Sequence, residues 1–179
     1  MRTLLLTLAC GLCVPSFAET VSDEDVKLAL IYKISRFVTW PQVPEQSDVP
    51  FRLCLAENTI FDLAQDRFAG RRIHNRDIEV HLLADNAPGI TEQCDVFYMT
   101  RLNNERVTQY LEIAGGAPVL TVSDAPGFAE TGGMIGLSRQ GKKVVININV
   151  AAYESSGLIV SSQLLELAVL VNDNRKAQR

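Results

Sequence analysis

Four short apolar runs, separated by segments of helical spacing, constrain this chain more than any other feature. Phe51 to Ala56 alternates as a strand, with Phe51, Leu53 and Leu55 on one face and Cys54 on the other. Asp77 to Leu83 alternates likewise, placing Ile78, Val80 and Leu82 opposite Glu79 and His81. Cys94 to Met99 and Val119 to Val122 are more uniformly apolar, as strands buried on both faces are. Between them, Asn58 to Phe68 (closed by Gly70) and Asn104 to Ala114 (ended by Gly115-Gly116) carry helix signals. Strands interleaved with helices predict a single three-layer α/β domain, its mostly parallel sheet covered on both faces.

The flanking segments fit that frame. Ser22 can cap a helix whose first turn holds Asp23, Glu24 and Asp25, where the helix dipole favours negative charge. Val26, Ala29, Leu30, Ile34, Phe37 and Val38 recur at helical spacing, and Trp40-Pro41 ends the run. Met134 to Leu137 and Lys143 to Ile148 predict two strands joined at Arg139 to Lys142, an antiparallel hairpin at an edge of the sheet. Asn149 can cap a short helix ended by Gly157, and Ser162 a last one running to about Val171. Residues 172–179 are a polar tail.

Residues 1–18 have the anatomy of a secretory leader. Met1-Arg2 is a basic start, Leu4 to Val14 an apolar run, and Ser16-Phe17-Ala18 sets small residues at a cleavage site after Ala18. A run of about 11 residues is too short for a bilayer, which takes roughly 20. Neither Cys10 nor Cys13 follows the Leu-small-small triplet of lipoprotein leaders. The expected product is one exported domain over 19–179, in the periplasm.

Net charge is −4, and removing Arg2 leaves the remainder more acidic. That balance argues against a nucleic-acid partner, which calls for a basic face. Cys54 and Cys94 are the cysteines left, in a compartment that oxidises thiols. They form one bridge, a metal pair or two buried free thiols. A zinc site would want more ligands, and His74 and His81 show no ligand spacing to the cysteines.

Catalytic signals are sparse. The chain has no Gly-x-Ser-x-Gly elbow, phosphate-binding Walker loop or His-Glu-x-x-His helix. Gly132 to Gly136 precedes a strand instead of opening a helix, so a turn explains it better than a phosphate cradle. Ser123-Asp124 ends a buried strand, where α/β folds place functional groups. A nucleophilic serine needs a positioned base, however, and both histidines lie earlier in the chain. The basic pairs Arg71-Arg72 and Lys142-Lys143 are candidate contacts for an anionic ligand or acidic partner. Trp40 and Phe128 either anchor a partner or tuck into the core.

An ordered set of blocks resembles the YfiR family of periplasmic proteins. Its opening signature is matched by Ala29-Leu30-Ile31-Tyr32-Lys33-Ile34-Ser35-Arg36-Phe37-Val38-Thr39-Trp40-Pro41. Arg52-Leu53-Cys54-Leu55, Gly70-Arg71-Arg72-Ile73 and Cys94-Asp95-Val96-Phe97-Tyr98 follow. Val119 to Asp124, Gly127-Phe128-Ala129, Gly132-Gly133-Met134-Ile135, Ile148-Asn149 and Gly157 to Leu165 complete the set. The resemblance implies an exported α/β domain with a disulfide on Cys54 and Cys94. A second cysteine pair found in some relatives is absent here. It further implies no cofactor, no metal and no catalytic residue, but regulation by contact. The characterised type represses a membrane-bound diguanylate cyclase, YfiN, through its periplasmic sensor part, and an outer-membrane lipoprotein, YfiB, sequesters the repressor. The consequence is less cyclic di-GMP and less biofilm. A homodimer, a periplasmic small-ligand binder with its pocket around Ser123 to Gly133, and an enzyme with an unfamiliar site stay open alongside.

Overall fold

The computed structural model describes residues 22–43, 48–83, 89–141 and 143–171. Residues 1–18, expected to be a leader, the polar residues 172–179 and Lys142 lie outside them.

Helix α1 spans Asp23–Ser35 and opens with a reciprocal cap: the Ser22 hydroxyl accepts from the Asp25 amide at 3.0 Å while the Asp25 carboxylate accepts from Ser22. It ends three residues earlier than its periodicity predicts. Val38–Thr39 is a strand, β1. The β-branched pair suits an extended backbone, and its partner, Ile159–Val160, lies far along the chain. The buried stripe is also rotated from expectation, onto Leu28, Ile31, Ile34 and Ser35, leaving Val26 38% exposed. Leu28 and Ile31 are as apolar as the stripe predicted, so spacing alone did not choose the face.

The strands that follow are β2 (Phe51–Leu55), β3 (Arg72–Ile73), β4 (Arg76–Leu82), β5 (Val96–Met99), β6 (Leu120–Ser123), β7 (Ile135–Gln140), β8 (Lys143–Asn149), β9 (Ile159–Val160) and β10 (Val169–Val171). The helices between them are α2 (Phe61–Phe68, entered through a 3₁₀ turn at Asn58–Ile60), α3 (Ile90–Gln93), α4 (Asn104–Ala114), α5 (Val150–Ser155) and α6 (Ser162–Leu167). Asn103 and Asn149 cap α4 and α5 through their side chains; Ser161, not Ser162, caps α6.

One sheet has the order β10-β8-β7-β6-β5-β2-β4-β3, and β1 with β9 forms a small second one. Neighbours from β4 to β7 run parallel, as expected. The β7–β8 hairpin forms, but one strand in from the border. The expected last helix stops at Leu167, and Val169–Val171 adds to Asn147–Asn149 as a parallel edge. Two valines around Leu170 prefer the extended state once the edge of β8 is there to pair with them. The antiparallel border lies at the opposite side, where β3 pairs with β4.

Side-chain alternation divides the core into two. Phe51, Leu53 and Leu55 join Leu28, Ile31, Phe68, Tyr98 and Val122 on one face. Cys54, Phe97 and Met99 join Val107, Tyr110 and Phe128 on the other. Cys54 and Cys94 are bonded, with a Cα–Cα distance of 5.7 Å, tying β2 to the entry of β5. Beside this bridge lies a buried ion pair. Arg76 donates to both Asp95 oxygens, at 2.7 and 3.2 Å, and to the carbonyls of Val49 and Pro50.

Two stability outcomes are expected. Cys54→Ser lowers the unfolding free energy by about 2–4 kcal/mol in urea, since a bridge closing a loop of this length restricts the unfolded chain; a wild type equally stable after reduction would refute this. Arg76→Met costs about 3–5 kcal/mol, because it strands a buried carboxylate; a midpoint shift equal to that of an exposed-arginine substitution would show otherwise.

Candidate partner-docking face

The carboxyl ends of the parallel strands are the usual ligand site of such a fold. Here the first turn of α1 fills them. The Lys27 ammonium sits between Asp124, at 2.6 Å, and Asp23, at 2.7 Å, while Thr100 donates to Asp124 at 3.1 Å. Arg101 meets Glu24 at 2.5 Å, Arg67 meets Asp25, and Arg139 meets Asp23. The loops after β5 and β6, strand β7 and helix α2 thus hold one helix terminus. Burial works to lower the Lys27 pKa, but the hydrogen bonds to Asp124 and Asp23 carry it above its ordinary value. The Lys27 hydrogen bond holds the Asp23 carboxyl below 3.8, and Arg101 holds Glu24 below 4.5.

Ser123 is committed to structure. Its hydroxyl donates to the Met99 carbonyl at 2.5 Å and accepts from the Ala125 amide. His81 lies on β4, three strand spacings from β6, or roughly 14 Å. Its Nε2 is 3.3 Å from the Glu79 carboxylate. The Gly132 to Gly136 segment serves packing: a Cβ at Gly133 would lie 2.1 Å from the Phe128 ring.

Both candidate aromatics are in the core. Phe128 is 2% exposed beneath Gly133. Trp40 is 5% exposed, edge-on to Phe51, with its indole N–H donating to the Asp95 carbonyl at 3.2 Å. Arg71 and Arg72, by contrast, are exposed. The Arg71 guanidinium lies 5.2 Å from the centre of the Tyr32 ring and that of Arg36 lies 6.0 Å from it. Arg72 meets Asp77 at 3.1 Å. Lys143 is exposed at the far side of the sheet, on β8, and does not join this group.

The small sheet continues the Arg71-Arg72 surface. His74, in the β3–β4 turn, contacts the Val38 carbonyl at 2.7 Å, so the turn abuts β1. Val38 and Val160 point inward, and the alternation turns Phe37, Thr39 and Ile159 outward. Phe37 is 36% and Ile159 57% exposed. Lys33, Arg36, Arg71 and Arg72 are exposed on the flanking elements. An apolar strand pair beside four cations is therefore displayed by a chain whose net charge is negative. The sequence reading missed Arg36, Phe37 and Ile159. Alternation across Phe37 to Thr39 was the available signal, masked by the helical spacing of the same residues.

A sequence model described as YfiR/HmsC-like matches residues 24–169, from the first turn of α1 into β10. The chain belongs to the YfiR/HmsC-like family. No curated protein matches it. Every strand of both sheets lies within the stretch matched to the YfiR/HmsC-like family, except the last two residues of β10. Among the described residues no helix is long and apolar enough to cross a membrane.

The ion-paired end of α1 makes a pH prediction. Asp23 and Glu24 titrate below their ordinary values in the folded chain, so their contribution is complete above those values and lost as pH falls through the folded pKa values. The melting temperature is expected to drop between about pH 5 and about pH 2 more steeply in the wild type than in an Asp23→Asn, Glu24→Gln variant. Parallel curves would mean the pairs add nothing.

Proposed function

We propose that this chain is a periplasmic regulator, exported by cleavage after Ala18. It docks on the periplasmic sensor part of a membrane-bound diguanylate cyclase and holds the enzyme in its less active state. The observation that carries this reading is the family match over residues 24–169. The leader-like residues 1–18 support export. An outer-membrane lipoprotein that competes for the same face would release the cyclase, raising cyclic di-GMP and favouring biofilm.

The physics is a population shift. A domain that binds the inactive sensor tenfold more tightly than the active one biases the equilibrium by about 1.4 kcal/mol, with no chemistry of its own. The exposed Phe37 and Ile159 supply apolar contact area, and Lys33, Arg36, Arg71 and Arg72 steer an acidic surface toward it. In this scheme Trp40 acts from within, by fixing the backbone beneath the face, whereas Phe128 packs in the core on the other side of the sheet.

A second reading is supported by a cleft of about 330 Å³ between α4 and α5, lined by Leu111, Glu112, Thr121, Met134 and Ser155 among others. That volume suits a small ligand. A thermal-shift panel of metabolites would reveal such binding.

The test is capture of membrane proteins on immobilised chain. Wild type is expected to retain a cyclase with a periplasmic segment. Arg71→Glu with Arg72→Glu should retain it about tenfold less well, with an unchanged melting temperature, since both side chains are exposed. Equal retention would move the contact elsewhere. Unaltered cyclic di-GMP on deleting the gene, with no membrane protein retained, would overturn the regulator itself.

A further inference from the structure

Strand β4 has seven residues, but its outer neighbour covers only its start. Strand β3 pairs with Arg76 and Asp77, and the Arg71 carbonyl takes the Ile78 amide at 3.1 Å. Beyond that point no described residue pairs with the outer edge. The Leu83 amide donates inward to Leu55, and that of Ile78 donates outward. By alternation, the N–H and C=O groups of Val80 and Leu82 face the open side.

A groove of about 320 Å³ runs along this edge against α2, lined by Gln65, Phe68, Ala69, Ile78, Val80 and His81. Phe68 forms a buried floor, and Leu82, 44% exposed, continues the apolar surface along the strand. The rim is acidic. Asp62 and Asp66 are exposed one turn apart on α2, and Glu79 is exposed on β4. The nearby cations are engaged elsewhere: Arg67 with Asp25, Arg71 over Tyr32. Residues 78–83 contain neither proline nor lysine, the usual means of blunting a sheet edge.

We propose that this edge is a strand-addition site for an extended segment of a partner protein in which apolar and basic residues alternate. The unpaired groups of Val80 and Leu82 supply the backbone ladder, and the groove receives an apolar side chain. Glu79, whose side chain points to the other face of β4, selects the basic neighbours. Strand addition of this kind draws affinity from main-chain bonds and selectivity from the flanking pockets. The site adjoins the basic docking face at Arg71 but is opposite to it in charge, and it does not depend on the partner being a cyclase.

The probe is a fluorescein-labelled peptide of sequence Lys-Val-Arg-Val-Lys-Val-Lys, titrated into the wild-type protein. A matched peptide with alternate backbone amides N-methylated serves as control. Amide hydrogen exchange at Val80 and Leu82 should slow at least tenfold at saturation. The N-methylated peptide should bind at least tenfold more weakly. Glu79→Lys should weaken the parent peptide several-fold without shifting the melting temperature, since the side chain is exposed. Binding that leaves Val80 and Leu82 exchange unchanged would overturn the proposal. So would equal affinity of the N-methylated peptide, or no binding up to millimolar concentration.

Discussion

The pairing of Arg76 with Asp95 is the constraint on which the other elements depend. Both side chains are nearly inaccessible, at 4% and 3% exposure, and a charge in that position is tolerable only when its hydrogen-bonding capacity is used. Arg76 uses it on Asp95 and on the carbonyls of Val49 and Pro50, which lead into β2. Asp95 also accepts from the Arg52 amide at 2.7 Å, and its carbonyl receives the Trp40 indole. One buried pair therefore sets the starts of β2, β4 and β5 and the end of the β1 segment. The disulfide, one residue before Asp95, fastens the same corner covalently.

The docking face inherits its shape from that corner. Trp40 is held by Asp95, so β1, immediately before it, cannot shift relative to the large sheet without breaking a buried hydrogen bond. His74 holds β1 from the side, and β9 closes it from the other. The far end of α1 is clamped at the opposite rim of the sheet by its ion pairs. On the proposed reading, a surface built on so few degrees of freedom presents the same contacts to each partner state. Discrimination then resides in which state of the partner fits it.

The layered α/β architecture was legible because its strongest elements carry local signals. Asn103 and Gly115 bracket α4, and the short apolar run of β5 and the β-branched run of β6, each flanked by turn or cap residues, suit buried strands. The cysteine pairing was legible from count, compartment and family resemblance together. What escaped was decided by distant partners. Phe37 to Thr39 satisfies helical and strand spacing alike, and only β9 resolves the choice. Val169–Val171 follows a leucine-rich helix and becomes a strand because β8 has an edge to offer. Arg36 and Arg71 share one surface through the ring of Tyr32, a juxtaposition that no local pattern contains. Trp40 and Phe128 are equally consistent with a core or a contact role until their burial is known.

The register of the small sheet carries a consequence for biogenesis. Val38 pairs with Val160, about 120 residues downstream, and loop closure over such a distance is slow. A nascent or prematurely terminated polypeptide lacking β9 has nothing to set against β1, and so leaves the small sheet unformed. On the proposed reading truncated copies are silent, and repression waits until synthesis has passed Val160.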